Sequence, residues 1–159
     1  IKNEIKQRDK KPGNVYLGLV HRLDRPVGGA MVFAKTSKAA ARLSDMMRRQ
    51  VIERKYWAVV HGVPKQKEQK LTHHLLKNSR KNQVSVVPST HPEGKKAVLN
   101  YRVLASQNGL SLLEVTLETG RPHQIRVQLS ALGHPLFGDQ KYGAKLNKVG
   151  QQIALWACA

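Results

Sequence analysis

Asp24 stands between Arg22 and Arg25 in the run Val20-His21-Arg22-Leu23-Asp24-Arg25-Pro26-Val27-Gly28-Gly29, a lone acid in a chain of formal net charge +18. Opposite charge nearby favours the ionised form of a carboxyl, so an acid placed this way is suited to nucleophilic attack rather than to proton donation. Pro26 and the glycine pair put it on a turn. Taken alone, the segment reads equally well as a surface acid paired with its neighbouring arginines. A second group of reactive residue types lies in Glu118-Thr119-Gly120-Arg121-Pro122-His123-Gln124-Ile125-Arg126. Arg121, His123 and Gln124 fall at the expected start of a helix, where free amides and the helix dipole favour an anion such as phosphate. Arg126 follows Ile125 and so sits at the margin of the buried helical face. An arginine there calls for a carboxylate partner, and Asp24 is the candidate; an ordinary surface arginine is the plainer reading.

Composition narrows the partners. The 159 residues fit one domain with room for a core, and 28 Lys+Arg stand against 10 Asp+Glu. Such an excess draws polyanions, and nucleic acid is the expected partner. An anionic membrane is set aside, because no apolar run approaches the roughly 18 residues a spanning helix needs. Cys158 is the single cysteine, which rules out an internal disulfide and points to a reducing compartment, the cytoplasm. His73, His74 and His91 lack the cysteines or close carboxylates of a zinc site, so neither metal nor cofactor is expected. The chain opens on Ile1 without a signal-peptide core and stops inside the apolar run Ile153 to Ala159, so it reads as a domain incomplete at both ends.

These residues need a scaffold. Residues 1–13 are polar, basic and closed by Pro12-Gly13, and read as a mobile lead-in to a domain over 14–159. Val15 to Val20 is expected as a strand feeding the Asp24 loop, and Gly29 to Lys35 as a second. Thr36-Ser37 then cap a helix from Lys38 to about Gln50, with Met46 and Met47 in its core face. Tyr56 to His61, Leu71 to Leu76 and Gln83 to Val87 read as strands, with 65–70 as a charged loop. Ala97 to Ala105 and Leu110 to Leu117 form a hairpin through Asn108-Gly109. Pro122 suits the first turn of a helix carrying Ile125, Leu129 and Leu132 on one face, stopped at Gly133. A strand resumes from Ile153. Hairpin-linked strands interrupted by two helices give an α+β fold on a mixed, mainly antiparallel sheet with flanking helices.

The run His21 to Asp24 resembles the signature of the RluA-type RNA pseudouridine synthases, whose catalytic aspartate closes a His-Arg-Leu-Asp sequence. Thr119 to Arg126 is similar to a second signature of that family, Thr-Gly-Arg-x-His-Gln-Ile-Arg. Lys55-Tyr56-Trp57-Ala58-Val59-Val60-His61-Gly62 resembles its tyrosine-bearing strand, and Gly133-His134-Pro135 and Gly138-Asp139 match at family-like spacing. The resemblance implies a catalytic domain that isomerises a uridine in ribosomal or transfer RNA, working as a monomer. It gives Asp24 the nucleophilic role, Tyr56 base stacking and proton handling, and Arg126 an ion pair with Asp24. Arg22 matches the position that enters the RNA where the target base leaves its stack. His21, Arg121, His123, Gln124 and Ile125 are expected on the RNA side, and Asp139 as a loop acceptor. The chain departs from the pattern at Val27-Gly28, where a hydroxyl residue is usual, and at Trp156, where histidine is common. A non-catalytic RNA-binding module with the same fold is the competing expectation.

Overall fold

In the computed structural model, which describes residues 1–158, the chain forms two compact units. One comprises Ile1–Leu23 and Met31–Ile52; the other begins with Asp24–Ala30 and resumes at Glu53. Among the described residues no helix is long and apolar enough to cross a membrane.

The first unit holds α1 (Lys2–Arg8), β1 (Gly18–Leu19), β3 (Phe33–Ala34) and α2 (Ser37–Arg48). The segment expected as a mobile lead-in is thus partly helical, and Ile5 buries its side chain from it. β1 and β3 pair antiparallel, Gly18 opposite Ala34. Thr36 caps α2 as anticipated, its hydroxyl oxygen accepting from the Ala39 amide at 3.0 Å. The Met pair is not core: α2 buries no residue fully, and Met46 is 38% exposed. Strands of two residues present too little surface to cover a helical face.

The second unit is built on a seven-stranded sheet in the order β2-β9-β4-β8-β7-β5-β6. Its strands are β2 (Gly28–Gly29), β4 (Lys55–His61), β5 (Glu68–Asn78), β6 (Gln83–Val87), β7 (Lys95–Gln107), β8 (Leu110–Leu117) and β9 (Leu155–Ala157), joined by α3 (Gln124–Ala131). β2 and β9 run parallel, and every other neighbouring pair is antiparallel. The architecture is the anticipated mixed α+β. The expected strand over Gly29 to Lys35 is instead split, Gly29 ending β2 and Phe33 opening β3, one piece in each unit. A glycine at φ 124° takes the chain out of the extended line. The charged loop at 65–70 is shorter than expected because β5 already starts at Glu68, paired with Arg102 of β7. The Asn108-Gly109 turn is present, with φ of 52° and 73°.

Strand alternation sorts the sheet into two faces. Ala58, Val60, Leu99, Tyr101, Leu113 and Val115 point into the core, where Ile125 and Leu129 of α3 and Leu136 complete the packing. Trp57 and Trp156 face each other across β4 and β9 on the other side, and both are more than half exposed. Every residue of α3 from Gln124 to Leu129 is buried. Polar groups on a helix enclosed all round call for internal partners, and three of those six residues, Gln124, Arg126 and Gln128, are polar or charged; Gln128 Oε1 is left without one.

Candidate active site

Asp24 opens a turn in which its carbonyl accepts the Val27 amide at 2.8 Å. The chain then enters β2, where Gly28 and Gly29 pair with Trp156 and Ala157, and the Ala30 amide donates to the Ala157 carbonyl at 2.8 Å. A Cβ on Gly29 would run into the Ala157 backbone, so a glycine is required there for the close approach as well as for its φ. The turn is therefore fastened to the edge of the sheet, and the Asp24 side chain is left 30% exposed.

Arg126 comes to it from α3, with Nη1 at 3.7 Å from Asp24 Oδ2. The expected ion pair with Asp24 is present, but Arg126 has a second and closer acid partner. Arg126 Nε and Nη2 donate to the two oxygens of Asp139, each at 2.8 Å, in the forked geometry that matches guanidinium to carboxylate. Asp139 is 1% exposed, and its Oδ1 also accepts the amides of Lys141 at 2.9 Å and Tyr142 at 3.2 Å. The loop-acceptor role expected for it is present, joined to a larger one. Burial works against the Arg126 charge, but the Asp139 hydrogen bond and the charges of Asp139 and Asp24 more than offset this and hold its pKa above the ordinary value. Burial likewise raises the Asp139 pKa, and the hydrogen bond from Arg126 reverses it, leaving the carboxyl below its usual range.

Tyr142 supports the guanidinium from one side, its ring centre 5.1 Å from Arg126 Cζ. Its hydroxyl accepts the Val84 amide of β6 at 2.9 Å and lies 2.7 Å from His123 Nδ1. His123 occupies the position just before α3 in the left-handed conformation, φ 52°, so the helix begins after Pro122 rather than at it. Burial lowers the His123 pKa, with Arg126, Lys141 and Lys77 adding to the effect and Asp24 opposing it. The loop carrying Asp139 is tied by Asn147, whose amide nitrogen donates to the carbonyls of Leu136, Asp139 and Gly143 at 2.9–3.2 Å. Asn147 Oδ1 in turn accepts the Gly138 amide at 2.6 Å and lies 2.7 Å from His61 Nε2.

Tyr56 sits on β4 opposite Ala157, packed against the core. Burial pushes its phenol up, the Arg54 guanidinium pulls it down, and Asp24 pushes it up again, so its proton is held at neutral pH. Asp24 thus acts electrostatically on Tyr56, His123 and Arg126, with Asp139 and Tyr142 supporting the guanidinium.

The remaining expected residues divide. Gln124 and Ile125 are not available to RNA, which corrects the sequence reading. Gln124 is 3% exposed; its carbonyl oxygen accepts from the Thr119 hydroxyl at 2.8 Å and the Arg121 amide at 2.9 Å, and its nitrogen donates to the Val98 carbonyl. It locks the loop ahead of α3 to β7. Ile125, 5% exposed, is core. Arg121 is exposed and donates from Nε to the Lys96 carbonyl at 3.0 Å. His21 Nε2 accepts the Val32 amide at 2.9 Å within the first unit, and Arg22 is exposed. Sequence reasoning missed Tyr142, Asn147 and Thr119. The one available signal was the Gly138 to Gly143 loop, whose polar residues stood at fixed offsets from Asp139.

The fold is found in solved pseudouridylate synthase domains. The human RNA pseudouridylate synthase domain containing 4 superposes with a TM-score of 0.82 at 25% identity, over 98% of this chain and 70% of that one. The human domain containing 1 gives 0.76 at 25% identity, over 98% and 66%. Residues 2–131 match the RNA pseudouridylate synthase family, and the chain belongs to it. Among curated relatives, the ribosomal large subunit pseudouridine synthase C of Buchnera aphidicola is 37% identical over 85% of this chain and 42% of its own length. Synthase D of Haemophilus influenzae is 38% identical over 80% and 38%. The chain therefore spans about two fifths of the length of these relatives.

Proposed function

We propose that this chain carries the catalytic centre of an RNA pseudouridine synthase that isomerises one uridine of structured RNA, with large-subunit ribosomal RNA in the cytoplasm as its substrate and Asp24 as the nucleophile. Relatives named for the large ribosomal subunit favour that RNA over transfer RNA. The observation that carries the reading is the Asp24 carboxylate, 30% exposed, 3.7 Å from a buried guanidinium whose Nε/Nη2 edge is taken up by Asp139. One oxygen is steered by Arg126 and the side chain remains open to a substrate.

Isomerisation breaks the bond between N1 of uracil and C1′ of ribose, turns the ring and forms a bond from C5 to C1′. The C5 proton leaves and N1 gains one, so atoms and electrons balance without oxidant, metal or cofactor. Asp24 adds either to C1′ or to C6 of the base. Tyr56, whose proton is retained at neutral pH, offers the released ring a stacking face and a hydrogen-bonding hydroxyl. Arg126 aims the carboxylate, and the Asp139 fork and the Tyr142 ring keep Arg126 in place. Removing a uridine from its stack costs a few kcal/mol, which contacts between a chain of net charge +18 and RNA phosphates offset. Arg22, His21, Arg121 and His123 supply such contacts in this reading.

The test is to incubate the protein with large-subunit ribosomal RNA and with transfer RNA and to map pseudouridine at single-nucleotide resolution. Wild type produces a modified site in ribosomal RNA and Asp24→Asn produces none while melting at the same temperature. Equal product from both proteins, or RNA binding with no product from either, overturns the reading, and the second result favours a binding module.

A further inference from the structure

Arg54 is a guanidinium with its surroundings built and its counter-charge missing. It precedes Tyr56 by two residues, on the same side of the β4 line, and its carbonyl accepts the Leu117 amide at 3.0 Å, which pins its main chain to the end of β8. Its guanidinium rests on Gly120, so close that a Cβ there would collide with Nη1. The only residue without a side chain lets the cation settle into the loop ahead of α3. Nε is buried and has no hydrogen-bond partner. Burial lowers the Arg54 pKa with only the Tyr56 phenol opposing it, and among the described residues no carboxylate pairs with it. Arg126, buried in the same unit, shows what a satisfied arginine looks like here: two carboxylate oxygens at 2.8 Å. Arg54 is only partly exposed, and its buried Nε goes unpaired, a cost that an anionic ligand on this guanidinium would offset.

Resting on the synthase reading, we infer that Arg54, seated on Gly120, binds a backbone phosphate of the RNA, the one attached to the nucleotide that Tyr56 and Asp24 engage. Arg54 and Tyr56 stand two residues apart on one side of the strand line, so a nucleotide lying on the Tyr56 ring runs its backbone toward Arg54. A planar fork with free N–H donors suits two phosphate oxygens, and an exposed Arg121 on the same loop widens the basic rim. Glu53, adjacent in sequence, pairs with Lys55 at 3.5 Å, and Glu118, two residues before Gly120, is engaged by Lys70 and Asn100, so both leave Arg54 to the ligand.

The experiment measures binding without turnover, using an RNA oligonucleotide with one uridine among adenosines and each phosphodiester in turn replaced by a neutral methylphosphonate. Wild type is expected to lose about tenfold in affinity at one linkage beside the uridine, as for a charge-assisted contact. Arg54→Met starts about tenfold weaker, is indifferent to neutralisation at that linkage, and melts no lower than wild type, since it removes an unpaired cation. Arg54→Lys keeps the linkage dependence with an intermediate loss. Arg102→Gln, whose guanidinium pairs with Glu114, changes no linkage selectively. The inference falls if Arg54→Met shows the wild-type linkage profile, if no linkage matters in wild type, or if Arg54→Met fails to fold and Arg54→Lys shows no linkage-dependent loss. A protein that grips this phosphate but never makes pseudouridine would sink the synthase reading and leave Arg54 standing; synthase activity with a flat linkage profile would do the reverse.

Discussion

At the scale of single residues, the site depends on one arginine shared unequally by two acids. Asp139 takes the strong fork and Asp24 the looser contact, so the first fixes Arg126 and the second stays 30% exposed. Replacing Asp139 by Asn leaves a buried guanidinium half compensated, and the expected loss of stability is about 3–5 kcal/mol, read by denaturant unfolding. Asp24→Asn, which removes the weaker and more exposed contact, is expected to cost under about 1 kcal/mol in the same assay. His123 supplies a pH test. Its pKa is depressed in the folded chain, so the unfolded state binds more protons at mildly acid pH. Its contribution is therefore complete above the unfolded value of about 6.5 and is lost as pH falls through the folded value. Unfolding free energy measured from neutral pH down to pH of about 5 should fall more steeply for wild type than for His123→Gln. Asp24, Tyr56 and Arg126 were legible in the sequence because their types and immediate neighbours carried the signal. Tyr142 was not, since its role rests on contacts with Val84, 58 residues away, and with a guanidinium that no local pattern links to it. Gln124 and Ile125 misled for the opposite reason: they belong to a helix buried on every side, where a one-faced pattern was expected.

At the scale of elements, the Asp24 turn owes its position to two residues of β2 against β9. Gly29→Ala meets both a forbidden φ and the Ala157 backbone, so it should cost more than the about 1–3 kcal/mol of local strain alone and should lower product formation beyond what the stability loss explains. Gly109→Ala, at φ 73° in an open hairpin turn with nothing within 4 Å, should cost about 1–2 kcal/mol and leave activity at wild-type level once folded. Comparing the two proteins at equal folded fraction separates the anchoring of the turn from general destabilisation. The β7–β8 hairpin, β4 and α2 were legible from alternation, a turn dipeptide and a cap. The split of 29–35 between two units was not, because an apolar run of strand length gives no hint that its two ends pair with different partners, Gly29 with Ala157 and Phe33 with Leu19. The sheet order, which carries β9 from the end of the chain to a place between β2 and β4, was equally hidden from local pattern.

At the scale of the whole molecule, a net charge of +18 sets the long-range attraction and the core sets what holds the site rigid. RNA affinity should fall steeply with salt, each neutralised phosphate on a single strand contributing a slope of about −0.7 in log K against log salt, and titrations at several salt concentrations will give the number engaged. Leu129 links the two demands. It is fully buried beneath the sheet, three residues after Arg126 on α3, so Leu129→Ala should lose about 2–5 kcal/mol while leaving every charge in place. The central claim, that the Asp24 carboxylate attacks a uridine, is tested most directly by the fate of the hydrogen on C5. Large-subunit ribosomal RNA carrying tritium at C5 of uridine should release label to water with wild-type protein in step with pseudouridine formed, and release none with Asp24→Asn at matched RNA occupancy. Release at the wild-type rate from Asp24→Asn would contradict the account.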